Sequence, residues 1–408
     1  MSEASARESS SAGVSPASER SAGGTPALLR PSERLVSLDA FRGATIAAML
    51  LVNNPGSWSA VYPPLLHAPW HGWTFTDLIF PAFLWIMGVS LTLSTARRVE
   101  AGADRAALLR HVAQRAGIIF VLGLVLSAFP FGLLPAHAFS FETLRWPGVL
   151  QRIALCSLAA GAIFLFASWR GQLAWAVGLL LGYWALLKLV PVPGHGAGVL
   201  EPLGNLAWWI DSHLLAGHTW SGAPAPGFDP EGLLSTLPAI ATVLCGTLAG
   251  YWLRGARALG KTSAGFAIAG VALLALGEAW GTVFPINKNL WTSSYVVAMA
   301  GWSALLFGIF HWLIDVRGWR GWAAPFVWYG MNALALFVLA GMVGRLLGLL
   351  RWTDAAGATV TLKGWLHSHL FLSWLSPINA SLAFALAFVL VFLAIAWAMW
   401  RKKWFVKV

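Results

Sequence analysis

The chain has 408 residues, 58% of them hydrophobic and 11% charged, with a mean hydropathy of +0.69. A soluble domain carries about 25% charged residues, so a water-soluble globule is excluded and a chain that crosses a bilayer many times is expected. The net charge of +11 comes from basic residues set between apolar runs, a pattern of topology signals that excludes a nucleic-acid-binding face.

Residues 1–33 are rich in Ser, Ala, Glu and Arg. They lack the continuous apolar core of a signal peptide and are expected to form a disordered cytoplasmic tail. Residues 34–404 then read as one all-α transmembrane domain. Ten spans are predicted, at about 36–54, 74–96, 113–134, 147–168, 172–191, 233–254, 263–284, 291–314, 323–347 and 379–400. Each is long enough to cross ~30 Å of hydrocarbon as a helix.

If these spans alternate, 20 of the 27 lysines and arginines share a side with the N-terminus. The other seven are Arg145, Arg152, Lys188, Lys288, Arg345, Arg351 and Lys363. The asymmetry predicts cytoplasmic termini and outward loops at 55–73, 135–146, 192–232, 285–290 and 348–378. The long 192–232 loop holds Gly, Pro, Trp and acids but no Lys or Arg, and it is expected to form a structured cap over an outer cavity. Residues 362–378 predict an amphipathic helix at the interface. No internal repeat is visible, which weakens an inverted-repeat transporter. Cys156 and Cys245 lie inside spans and read as small apolar fillers, with no disulfide framework.

Ionisable groups inside a span are costly, by ~2.5–3.5 kcal/mol for a central Asp on insertion scales, and normally face a cavity or a partner. Asp77 stands out, followed by Asp39 with Arg42, Arg152 with Gln151, and Glu278. Asp39 and Arg42 are three apart and can pair on one helix face, or can hold a phosphate-bearing donor. Arg152 either snorkels outward or neutralises a buried acid. His67 and His71 are four apart, as in a zinc pair, but Pro69 lies between them and no further ligands adjoin. His213, His218 and Asp211 are too loosely spaced for a metal site. Asn53 and Asn54 end the first span, where they can cap the helix or donate to an oxyanion. Asn287, Lys288 and Asn289 form a polar turn, or contact substrate oxygens. Most of the 25 tryptophans read as interface residues.

Several of these motifs carry a resemblance. The run RLVSLDAFRG, followed by HAPWHGWTFTDLIFPAFLWIMG, resembles the heparan-α-glucosaminide N-acetyltransferase family of transmembrane acyltransferases. The likeness continues at WPGVLQRIALCSL, WWIDSHLLAGH, FDPEGLLSTLPAIATVLCGTLAG, FPINKNLWTSSYV and FVWYGMNALALFV, in family order. The resemblance implies that acetyl from cytosolic acetyl-CoA passes to the amine of a terminal glucosamine across the membrane. The family's active-site histidine maps to His67, with Trp70, Gly72, Thr74, Asp77, Phe80 and Pro81 in matching places. Its asparagine maps to Asn53, with a few more residues before the histidine.

On this reading His67, Asp77 and Asn53 are catalytic. Neutral imidazole removes the ammonium proton, or takes the acetyl group itself. Asp77 orients it, and Asn53 stabilises the thioester oxyanion. Trp70, Asp229, Glu231, Asn287, Lys288 and Asn289 are assigned to the acceptor, the two acids attracting a cationic amino sugar. Asp39, Arg42, Gln151 and Arg152 are assigned to acetyl-CoA. No metal is expected. The partners are acetyl-CoA, an amino-sugar acceptor and the lipid bilayer, with a homodimer left open and nucleic acid excluded. The location is a bacterial inner membrane. The alternative function is transport of amino or N-acetylated sugars.

Overall fold

The computed structural model describes residues 35–133, 139–255, 257–355 and 357–406. The tail expected at 1–33 lies outside the described residues.

Nine helices among the described residues are long and apolar enough to cross a membrane. Eight of them fall in α1 (Val36–Asn53), α2 (Ile79–Glu100), α3 (Arg105–Ala128), α4 (Val149–Phe166), α5 (Trp169–Leu189), α7 (Thr236–Arg254), α8 (Leu259–Gly281) and α9 (Ser293–His311). α6 (Leu206–Leu214) is a short helix inside the long connection, and α10 (Ala324–Met331) and α11 (Ala333–Leu349) follow α9. A hairpin of β1 (Arg351–Thr353) and β2 (Thr359–Thr361), then α12 (Leu362–His367), lead to the ninth long helix, α13 (Pro377–Arg401). The architecture is the expected all-α polytopic one, apart from that hairpin. The predicted helix over 362–378 is shorter, ending with a wide turn at Ser368–Leu372.

The predicted span at 323–347 is one element in the sequence and two in the structure. α10 and α11 meet at Asn332 with a bend of 74°. Asn332 is buried; its Nδ2 donates to the Trp404 carbonyl at 3.0 Å, and its Oδ1 accepts the Val406 N–H at 2.9 Å. A broken helix survives at membrane depth only where other protein groups satisfy the freed polar atoms, and residues 404–406 lie beside this break.

Helices α1, α2, α4, α7 and α9 form the centre, each more than half buried, whereas α3, α5, α8 and α13 are at most 28% buried and ring them. In lipid, close helix contact depends on small residues rather than on expulsion of water. The pair Gly88 and Gly246 locks α2 to α7: a Cβ on either would sit 2.0 Å from the other helix's carbonyl oxygen, that of Val243 or Trp85.

The connections at 54–78, 139–148, 190–235, 282–292 and 350–376 gather at one end. Trp70 Nε1 donates to the Leu200 carbonyl at 2.9 Å, the Gly72 N–H to that of Ile286 at 2.7 Å, and the Trp146 N–H to that of His218 at 3.0 Å. The other end holds the Arg254–Glu100 and Arg42–Asp39 ion pairs.

Candidate active site

The first turn before α2 builds the central feature. Thr74 and Asp77 form a reciprocal capping box at the start of Phe75–Leu78, satisfying donors that the helix start leaves open. Asp77 Oδ2 accepts the Thr74 N–H at 2.9 Å, the Ala68 N–H at 3.0 Å and the Thr74 hydroxyl at 3.2 Å. Oδ1 faces His67 Nδ1 at 2.6 Å. A carboxylate only accepts, so Nδ1 carries a proton. The Asp77 side chain is 1% exposed and that of His67 49%. A buried carboxylate thus holds a half-exposed imidazole.

Two further contacts fix this unit from below. Tyr295, fully buried on α9, donates its hydroxyl to the Asp77 main-chain carbonyl at 2.6 Å. Its ring lies edge-on to Trp291, which in turn packs edge-on against Phe80 of α2.

His71 turns elsewhere. It is exposed and stands 3.3 Å from Asn287 Nδ2 through its Nδ1. The two histidines therefore serve different partners, and among the described residues no group of three or more His, Cys, Asp or Glu is placed to hold a metal ion. Asn287 is fully buried and organises its own turn, accepting the Leu290 N–H on Oδ1 at 2.8 Å. Lys288 and Asn289, the next two residues of that turn, are partly exposed. Trp70 packs edge-on against Phe228 and so joins the His67 loop to the long connection.

A charged cluster lies under that connection. Arg145 grips Asp229 through Nε at 2.8 Å and Nη2 at 2.5 Å, and Nη2 also reaches Glu231 at 2.6 Å. Asp229 accepts the main-chain N–H groups of Trp220 and Glu231 as well, both at 2.9 Å, and is fully buried. The expectation that Asp229 stands open to a cationic sugar therefore meets a carboxylate whose two oxygens already take four donors. Glu231 is also mostly buried, with Oε1 3.9 Å from Lys288 Nζ. Burial opposes the charge on Glu231, but Lys288, Arg145 and Arg152 outweigh it and hold this carboxyl below its usual range. Burial likewise opposes the Arg145 charge, and Asp229 and Glu231 hold it above the usual arginine value. Asp211 of α6 is the reverse case: burial pushes it up to about 7, against the Leu233 N–H that donates to its Oδ1.

Arg152 does not snorkel. It is 1% exposed, donates to the Gly232 carbonyl at 3.0 Å and to the Ser235 hydroxyl, and stacks over Trp291 at 5.2 Å. Gln151 is buried beside it, close to Gly123 and Gly148. Asp39 and Arg42 pair at 3.1 Å, and Arg42 also donates to Ser90 at 2.8 Å. They sit one helix length from Asn53, since the 14 steps from Asp39 to Asn53 rise ~21 Å along α1. The four residues assigned to acetyl-CoA are thus split between the two ends.

Asn53 is exposed and hydrogen-bonds neither His67 nor Asp77 among the described residues. It opens instead into a cleft of about 320 Å³ lined also by Asn54, Trp58, Arg345 and Lys363. Sequence reasoning missed Arg145 and Tyr295, whose partners are remote in the chain. The partnership of Thr74 with Asp77 was visible in principle, as a T-x-x-D pattern before an apolar run.

The profile described as heparan-alpha-glucosaminide N-acetyltransferase, catalytic, matches residues 34–279. The human heparan-alpha-glucosaminide N-acetyltransferase is 31% identical over 355 residues, covering 75% of this chain and 52% of its own length. The mouse protein of that name is 29% identical over 356 residues, with 75% and 53% covered. The chain spans about half the length of the curated relatives it matches.

Proposed function

The chain belongs to the heparan-alpha-glucosaminide N-acetyltransferase family, and from that premise we propose that it is a membrane-embedded acetyltransferase of a bacterial inner membrane. It takes acetyl from cytoplasmic acetyl-CoA and gives it to the amine of a glucosamine-type sugar at the His67 end. The lysine and arginine asymmetry supports turning that end outward, with both termini in the cytoplasm. The observation that carries the reading is the His67–Asp77 pair at 2.6 Å, with the His67 side chain half exposed.

An ammonium is not a nucleophile. His67 Nε2 takes one proton from the acceptor amine, and Asp77 stabilises the resulting imidazolium through Nδ1–H. The amine nitrogen then bonds to the acetyl carbon as the carbon–sulfur bond of the thioester breaks. The departing thiolate recovers that proton from the imidazolium, and the nitrogen's second proton leaves through Nε2 to water, so that ammonium and thioester give amide, thiol and one released proton. The Asn53 amide, which no described protein group holds, supplies a donor for the oxyanion. A route through acetyl on Nε2 uses the same residues. Trp70, Glu231, Asn287, Lys288 and Asn289 surround the acceptor. Arg42 with Asp39 receives the donor's phosphates at the cytoplasmic end, and Gln151 and Arg152 lie nearer the transfer site. The long connection serves as a cap.

The test supplies labelled acetyl-CoA and a panel of amino sugars to the purified chain. N-acetylated glucosamine is the expected product. Donor binding without transfer to any amine sinks the reading, as does uptake of labelled sugar into proteoliposomes that contain no acetyl-CoA and show no transfer.

A further inference from the structure

The cleft that receives Asn53 lies at the His67 end, between the last turn of α1, α11 and α12. Apolar residues of α1 and α11 complete its lining, and its only charged groups are the cations of Arg345 and Lys363. Arg345 spends Nη1 on the carbonyls at the end of α3, those of Leu126, Ser127 and Phe129. Its Nε and Nη2 have no protein acceptor among the described residues. Lys363 makes no hydrogen bond among them, and its ammonium lies 5.9 Å from the centre of the Trp58 ring. Asn53 is likewise unengaged, while Asn54 donates to the Leu50 carbonyl at 2.9 Å.

The contrast with the neighbouring cations decides what the cleft is for. Arg145 and Lys288 both face carboxylates. Among the described residues no carboxylate lies within ion-pair distance of Arg345 or Lys363. Burial pushes the Lys363 ammonium below the usual lysine value, a cost that an anion alongside would offset. Two cations without counter-charges in one cleft concentrate positive potential there.

We propose that this cleft binds an oxyanion group, a phosphate, sulfate or carboxylate, gripped by Lys363 and Arg345, with Trp58 against the adjoining part of the ligand. Arg345 supplies a planar fork suited to two oxygens, and Lys363 a point charge. The group arrives by one of two routes, on a charged sugar from the water or on the headgroup of an anionic lipid.

The test is binding by the full chain without acetyl-CoA, so that its failure is separate from failure of acetyl transfer. The chain is placed in phosphatidylcholine nanodiscs and titrated with inorganic phosphate and with glucosamine 6-phosphate. A second arm replaces part of the lipid with phosphatidylglycerol and follows the melting temperature. For the soluble route, the phosphorylated sugar is expected to bind roughly 10-fold tighter than glucosamine, as one charge-assisted contact would give. Lys363→Gln removes that preference and Lys363→Arg keeps it. For the lipid route, phosphatidylglycerol raises the melting temperature of the wild type and not of Lys363→Gln. If Arg345→Gln fails to fold, because Arg345 also caps α3, the Lys363 variants alone decide. Identical responses of folded wild type and Lys363→Gln to both probes overturn the proposal.

Discussion

Tyr295 donates its hydroxyl to the main-chain carbonyl of Asp77 across 218 residues of sequence. The contact touches no reacting atom. It holds the residue that holds His67, so it is a positioning contact. Tyr295→Phe leaves a buried carbonyl without its donor, at a cost of about 1–3 kcal/mol. The expected result is a fall in kcat of about 10-fold with KM nearly unchanged, read from steady-state acetyl transfer. A change confined to KM would remove Tyr295 from this role.

His67 and Asp77 separate by their burial. His67→Ala is expected to cut transfer by about 10²–10⁴-fold while leaving the melting temperature in place, because the side chain is half exposed and, among the described residues, bonds only Asp77. Asp77→Asn loses activity and stability together, because the same carboxylate receives three donors of the turn. His71→Ala serves as the control and is expected to stay within a few-fold of the wild type. Transfer assays and thermal unfolding on the same preparations check all three.

Arg145→Gln exposes how the charged cluster is bound. Asp229 is fully buried and paired with Arg145 through two nitrogens. Removing one partner of such a pair costs about 3–5 kcal/mol, because the other charge stays buried. The expected outcome is a large drop in melting temperature, partly restored in Arg145→Gln/Asp229→Asn. Arg145→Lys should not restore it, since lysine lacks the fork that spans both oxygens.

Asp211 gives the protein a pH signature. Burial pushes its pKa up to about 7 from the usual 3.8, with Asp229 adding to the rise and Arg152 and the Leu233 N–H opposing it. Between those two values the folded state keeps a proton that the unfolded state has lost, so stability falls as pH rises from about 4 to 7. The effect is on the order of 4 kcal/mol as an upper bound. Glu231 has the opposite sign and acts lower: its contribution is lost as pH falls below its ordinary value of 4.5. Melting temperature against pH should therefore rise on acidification from 7, peak in the weakly acidic range, and then drop. Asp211→Asn flattens the upper limb. An unchanged slope in that variant would dismiss Asp211 as its source.

The spans were legible because lipid leaves little choice: about 20 apolar residues in a row have few alternatives to a helix. The break at Asn332 was hidden, because hydropathy counts the apolar residues on both sides and does not register a bend of 74°. His67 and Asp77 were legible because they lie ten residues apart in one turn-rich loop. Arg145 was not, since its partners lie 84 and 86 residues away. Asp229 and Glu231 read as open acids because nothing local shows a cation folding over them. Asp39, Arg42, Gln151 and Arg152 stand out in the sequence as polar groups within apolar runs. Their separation into two ends depends on helix direction, which composition does not carry.

The bend at Asn332 has a practical side. Trp404 and Val406, though exposed, reach back to its amide, so residues 404–406 complete the hydrogen bonding of the break. A purification tag joined there pulls on those hydrogen bonds. Weak expression of a C-terminally tagged protein would then report the tag, and a melting curve taken after tag cleavage would separate the two.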